Sequence, residues 1–194
     1  MSDKDTLERI TTQLVDLKNT SELSMDLAYS ALLLNNTFLA EEVQQLNQKI
    51  IDLNLDLESL LLSCHFKAEE SSSIIGLIQM GMAAQRISRA ASEIAQVVLR
   101  GIEPHPVLRM MIESADETVE LVALAEDSPL IGTSLKETEF PEETGWWVLA
   151  IKRGDRWVRP KASTVLEAGD VLIASGYADG EEDFKQLVSG RSTD

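Results

Sequence analysis

The chain has 194 residues, 44% of them apolar, enough for one large domain or two small ones with buried cores, and its composition is not that of a disordered segment. A net charge of −16 argues against a nucleic-acid partner, which needs clustered Lys and Arg, and against an anionic membrane surface. With Cys64 as its single cysteine, the chain has no intramolecular disulfide framework, which points to a reducing compartment.

The first residues, Met1-Ser-Asp-Lys-Asp5, lack the basic flank and apolar stretch of a signal peptide. The longest apolar run, Ile74 to Ala84, is too short to span a bilayer, so a cytoplasmic protein is expected. Three helices are predicted next. Leu7, Ile10, Leu14 and Leu17 recur at alternating three- and four-residue steps, and Met25, Ala28 and Leu32 resume after a polar gap. Val43, Leu46, Ile50, Leu53, Leu57 and Leu60 keep that rhythm, as do Met80, Ala83, Ile87, Ala90, Ile94 and Val97. One such stripe per helix packs into a bundle. Asn35-Asn36 breaks the first helix, with Thr37 as the expected N-cap of the second. Glu69 to Ser73 suits the entry to the third helix, and Gly101-Ile-Glu-Pro-His-Pro106 ends it. A short helical piece from Val107 to Ser114 is expected to follow.

Beyond Ala115 the period becomes strand-like. Val119, Leu121 and Ala123 alternate with Glu120, Val122 and Leu124, as in a strand with one buried face. Trp147–Ile151 and Val171–Ala174 read as central strands, apolar on both faces. Arg153-Gly-Asp-Arg156 is a hairpin turn into a short strand at Trp157–Arg159, and Gly169-Asp170 is a tight turn before the last strand. Asp179 to Val188 closes as an acidic helix with Phe184, Leu187 and Val188 inward. The fold class is α+β: an antiparallel helical bundle over residues 1–106, then a small α+β unit over 107–194.

Few groups in the chain point to chemistry. Cys64-His65 point about 100° apart on a helix, with no second Cys or His nearby to complete a zinc site. His105 stands between two prolines as a linker residue. No nucleophile with an adjacent base stands out, so no enzyme activity is expected. Neither Gly-x-Gly-x-x-Gly nor a Gly-rich P-loop occurs, which excludes a nucleotide-binding fold of the dinucleotide type. Trp146 and Trp147 face opposite sides of a strand, which leaves two readings: one in a core with the other lining a cleft or dimer interface, or both as ordinary packing. Arg153, Arg156, Arg159 and Lys161 form a basic cluster suited to an anionic ligand or acidic partner, or to offsetting local charge. Asp52 and Asp56 lie one helical turn apart and are expected to face water.

From Val107 to Val188, the ordered phrases Ser128-Pro-Leu-Ile-Gly132, Val148-Leu-Ala-Ile-Lys-Arg153 and Leu166-Glu-Ala-Gly-Asp-Val-Leu172 resemble the C-terminal domain of TrkA and RCK proteins, regulators of potassium channels and transporters. The resemblance implies pairing into dimers. In some members it also implies a small ligand, cyclic dinucleotides included, in the cleft between subunits. By position, that ligand-binding cleft takes Phe140, Thr144, Gly145, Trp146 and Trp147.

From Asp5 to Gly101, the run Lys18 to Asn35 and the phrase Leu39-Ala-Glu-Glu-Val43 resemble a PhoU domain. PhoU-like proteins carry Glu-x-x-x-Asp repeats whose carboxylates share a hard cation. Glu22-Leu-Ser-Met-Asp26 keeps the motif, making Glu22 and Asp26 the candidate metal ligands. At the equivalent place in the second half stand Gln85 and Arg89, and an Asp26–Arg89 salt bridge is the alternative to a metal.

Together the halves resemble stand-alone archaeal proteins with a PhoU-like bundle fused to a TrkA C-terminal domain. This implies a non-enzymatic, cytoplasmic, homodimeric regulatory subunit of a membrane cation channel or transporter, with potassium the first ion. Such a subunit binds no nucleic acid, does not insert into the membrane, and reaches it through its transporter partner. No cofactor is fixed by the sequence. The candidates are a cyclic dinucleotide in the C-terminal dimer cleft and a divalent metal in the helical domain. Two other readings stay open: a PhoU-type metal-binding regulator linked to phosphate uptake, and a purely structural dimeric scaffold.

Overall fold

The computed structural model describes residues 3–64, 71–101, 106–107, 110 and 116–189. His65 and His105 lie outside them, as do most of the expected linker before Pro106 and of the helical piece before Ser114. Two compact units form, Met1–Ile102 and Glu103–Asp194. Among the described residues no helix is long and apolar enough to cross a membrane.

The first unit is a bundle of α1 (Asp3–Leu33), α2 (Thr37–Ser63) and α3 (Ser71–Leu99), each packed on the other two. Asn35 adopts the left-handed conformation at φ 48° to turn the chain after α1. The N-cap of α2 is Asn36, not Thr37: the Asn36 side-chain oxygen accepts the Leu39 amide at 3.1 Å, and Thr37 is already helical. The α2 stripe is buried as expected at Val43, Leu46, Ile50, Leu57 and Leu60, with Leu53 packed beside it. Asp52 and Asp56 face water.

Two expectations for the flanking helices need correction. In α1 the polar gap belongs to the core, because Thr20, Ser21 and Ser24 are buried, as is Ser30 further along, whereas Leu7 is 60% exposed. The Ser21 and Ser30 hydroxyls donate to the carbonyls of Lys18 and Asp26 at 2.9 and 2.7 Å, so they enter the core hydrogen-bonded. In α3 the expected inward stripe faces outward: Met80, Ile87 and Val97 are 56%, 43% and 41% exposed. The buried set lies one residue further on, at Gly81, Ala84, Ser88, Ala91, Ala95 and Val98. Size decides between them. The leucines and isoleucine of α2 fill the bundle axis and leave the middle of α3, from Gly81 to Ala95, room only for small side chains. At the closest approach, a Cβ on Gly81 would stand 2.0 Å from Asn54 Oδ1.

The second unit is an antiparallel sheet in the order β1-β4-β2-β3. Its strands are β1 (Glu117–Ala123), β2 (Trp146–Arg153), β3 (Arg156–Val158) and β4 (Val171–Tyr177). The helices are α4 (Phe140–Thr144) and α5 (Glu181–Ser189), the latter entered through a 3-10 turn at Ala178–Gly180. As expected, β4 and β2 are central. The short strand begins one residue earlier than expected because Arg153 pairs with Arg156 across the Gly154-Asp155 turn, where Gly154 takes φ 55°. A bulge interrupts the β2–β4 register between Val148 and Ala150.

Trp146, Ile151, Leu172 and Ala174 point from the sheet into a core closed by Phe140, Phe184 and Val188. In β1 the residues on the core side are Val122, continued by Leu124. Val119 is buried on the opposite side of the sheet, where Leu121 is 37% exposed. The register sets these sides, since Val122 pairs with inward Leu172 and Leu121 with Ile173.

Arg153 is the chief correction to the basic cluster. Asp170, fully buried, accepts Arg153 Nε and Nη2 at 2.8 Å each, and also the Glu167 amide at 2.9 Å. Arg153 also pairs with the Glu167 carboxylate and donates to the Val165 carbonyl at 2.8 Å. Hydrogen bonding to Asp170 raises the arginine above its ordinary value, so its charge is fixed and spent on structure. Replacing Asp170 by Ala removes the buried partner, leaves Arg153 only Glu167 and the Val165 carbonyl, and should destabilise this unit by about 3 kcal/mol. All three tryptophans lie in this unit, so urea unfolding followed by tryptophan fluorescence reads it alone.

Lys185 of α5 binds Glu120 of β1 at 2.7 Å and Glu181 one turn earlier at 2.5 Å. The hydrogen bond from Lys185 lowers Glu181 below its ordinary value of 4.5. Its contribution to stability is therefore complete above that value and is lost as pH falls through the lowered one. Acid titration of unfolding should show this loss, and Lys185→Met should flatten the slope in that range.

Candidate functional site

The expected ligand residues fall on the short helix α4 and the start of β2. Pro141 near the start of α4 fixes its backbone, and Gly145 ends it at φ 71°, where a left-handed residue is needed, with its amide on the Pro141 carbonyl at 3.0 Å. Thr144 is buried; its hydroxyl donates to the Phe140 carbonyl at 2.7 Å and accepts the Trp146 amide at 3.2 Å. Phe140 meets Phe184 edge-on with ring centres 5.2 Å apart, and Trp146 stacks on Phe184 at 5.0 Å. Trp146 Nε1 donates to the Tyr177 carbonyl at 2.9 Å. Gly176 makes room for that indole, since a Cβ there would stand 2.4 Å from the ring. Trp146 is therefore wholly buried, and Trp147, on the opposite face of the strand, is 51% exposed.

Phe140, Trp146 and Trp147 line one open cleft of about 320 Å³, and Thr144 and Gly145 are not part of its lining. Leu135, Pro141, Val148, Pro160 and Ala162 complete the apolar lining, with Lys136, Lys161 and Glu142 as the charged groups. Lys136 and Pro160 escaped the sequence reading because they come from separate loops. The loops are tied by Leu135 N to Thr164 O and Lys136 N to Ala162 O, both at 2.9 Å, which brings the two lysines to one cleft. Of the basic cluster, Lys161 alone lines it. The cleft thus combines aromatic and apolar surface with two lysines and one glutamate, a net positive lining that suits an anionic ligand with a planar part.

The metal residues have a different setting. Lys18 Nζ lies 2.6 Å from Glu22 Oε1, and the Asp26 carbonyl accepts the Ser30 hydroxyl. Arg89 binds Glu93 one turn on, at 3.2 Å. Among the described residues no group of three His, Cys, Asp or Glu side chains converges. Two carboxylates, one already holding an ammonium, do not fit a hard cation that takes six or more oxygens.

Residues 119–189 match the TrkA-C domain, and residues 14–98 match the PhoU domain. The chain joins a PhoU domain to a TrkA-C domain. It is 28% identical over 129 residues to Potassium channel protein 1 of Methanocaldococcus jannaschii, covering 64% of this chain and 38% of that one. It is 23% identical over 109 residues to the ammonium/H(+) antiporter subunit AmhM of Alkalihalophilus pseudofirmus, covering 56% and 65% respectively. The curated relatives it matches are spanned over 11% to 65% of their own length. Among solved structures, the RCK_C domain dimer of S. agalactiae BusR in complex with c-di-AMP is 25% identical with a TM-score of 0.34, covering 36% of this chain and 93% of that one.

The buried hydroxyl of Thr144 separates a structural role from a binding one. Thr144→Val should cost about 1 kcal/mol of stability by fluorescence-detected unfolding, with the shape of the neighbouring cleft retained.

Proposed function

We propose that this chain is a non-enzymatic, cytoplasmic, homodimeric regulatory subunit of a membrane cation channel or transporter, with potassium the first ion. In this reading the PhoU domain ends at residue 106 and the TrkA-C domain begins at 107. The TrkA-C match and the relatives named for potassium and ammonium transport support the link to cation transport. The observation that carries the sensing role is the cleft, with the half-exposed face of Trp147 beside Lys136 and Lys161.

A cyclic dinucleotide suits this chemistry. A base stacks on an indole, and phosphates meet ammonium groups. A two-fold ligand also suits a site built from the same cleft of two copies. Neither His, Cys, Ser nor Thr lines the cleft, so no hydroxyl, thiol or imidazole is placed there to attack a bound ligand. Regulation follows if the ligand binds two dimer geometries unequally, since equal affinity shifts nothing.

Isothermal titration of the full chain with cyclic di-AMP, ATP and KCl tests this reading. Cyclic di-AMP should bind, and Trp147→Ala or Lys161→Glu should weaken it roughly tenfold or more while tryptophan-detected unfolding stays cooperative. Absence of binding by every nucleotide would sink the sensing role. Undiminished binding by both variants would place the ligand elsewhere.

A further inference from the structure

Helix α3 carries two apolar stripes at alternating three- and four-residue spacing. Gly81, Ala84, Ser88, Ala91, Ala95 and Val98 fill the bundle. Met80, Ala83, Ile87, Ala90, Ile94 and Val97 form the second stripe, exposed except for half-buried Ile94. The charged residues of α3 are Arg86, Arg89 and Glu93 alone. A helix apolar round most of its circumference is one covered on both sides.

We infer that the outward stripe is closed by α3 of a second copy, packed antiparallel about a two-fold axis between Ser88 and Arg89. The stripe is complementary to itself in this register. With Met80 opposite Val97 of the other copy, Ala83 meets Ile94 and Ile87 meets Ala90, and symmetry repeats each layer. The inner layers set a small side chain against a large branched one, which fills a seam without voids. Leu14, Leu17, Lys18 and Ser21 of α1 wall one side of the stripe along an open cavity of about 170 Å³, which receives the incoming side chains.

Charge selects the same register. Arg86 of one copy flanks Glu93 of the other, once on each side of the axis. Within a single chain, the Arg86 guanidinium donates to the Met82 carbonyl at 3.3 Å and meets no carboxylate among the described residues. Glu93 is held by Arg89 in a pair whose side chains are 80% and 70% exposed, so it has room for a second cation. Sliding one helix by seven residues sets Arg86 against Arg86, or Glu93 against Glu93, according to direction. Those registers are repulsive. With net charge −16 per chain, two copies repel in general, and α3 is the helix of the bundle with net positive charge.

Cysteine cross-linking tests the pairing on the full chain. On a Cys64→Ser background, Ala83→Cys with Ile94→Cys should give a covalent dimer under mild oxidation, read on a non-reducing gel. Each single substitution should give none, because like residues would stand about 16 Å apart along the axis. Ala83 is exposed and Ile94 half-buried, and circular dichroism checks that both substitutions keep the fold. In equilibrium sedimentation, Arg86→Glu should weaken self-association roughly tenfold and Arg86→Glu with Glu93→Arg should restore it. No cross-link in the double variant, cross-linking of the singles, or no rescue by the charge swap would each overturn the inference. The outcome is independent of ligand sensing, since the cross-link should persist in Trp147→Ala.

Discussion

The carboxylate of Asp170 holds together most of what makes the C-terminal unit usable. It joins the end of β2, through Arg153, to the turn before β4, through the Glu167 amide. Arg153 then reaches the Val165 carbonyl, and Leu166 exchanges hydrogen bonds with the Gly132–Thr133 backbone. From there the pairing continues through Leu135 to Thr164 and Lys136 to Ala162. A continuous run of hydrogen bonds therefore leads from a buried ion pair to the two lysines of the cleft. Buried charge is costly unless fully paired, and here every link of the pairing also positions a loop.

The strands and the α2 stripe were legible because each rests on a strong periodic signal. Val43 through Leu60 offers one way to bury a helix, and the apolar runs in β2 and β4 one place for a central strand. Gly154 and Gly169 marked turns because both require positive φ. The α3 stripe was misread for a physical reason: two neighbouring faces have the same spacing, and apolarity alone favours the bulkier one. What decides is the volume left by α2, and that is a property of the assembled bundle. The serines of α1 were misjudged for a related reason, since a hydroxyl bonded to its own helix counts as a small, nearly apolar group.

The site was legible in outline only. Adjacent tryptophans on a strand must diverge, but which one is buried depends on Gly176, thirty residues on, leaving space for one ring. Arg153 looked like part of a surface cluster because its partner is distant in sequence and hidden from solvent. Lys136 carried no signal of its own; its place in the cleft comes from loop pairing that no local pattern encodes.

The bulge in β2 has a consequence for how the strand tolerates change in length. Side chains alternate along a strand, so an even-numbered residue and an odd-numbered one normally face opposite ways. Trp146 and Arg153 nevertheless both serve the interior, one in the aromatic stack and the other on Asp170. The irregularity between Val148 and Ala150 supplies the extra residue that resets the alternation midway. The strand therefore keeps count across that point. Removing one residue there would leave the chemistry of both anchors intact and make it impossible to satisfy them together.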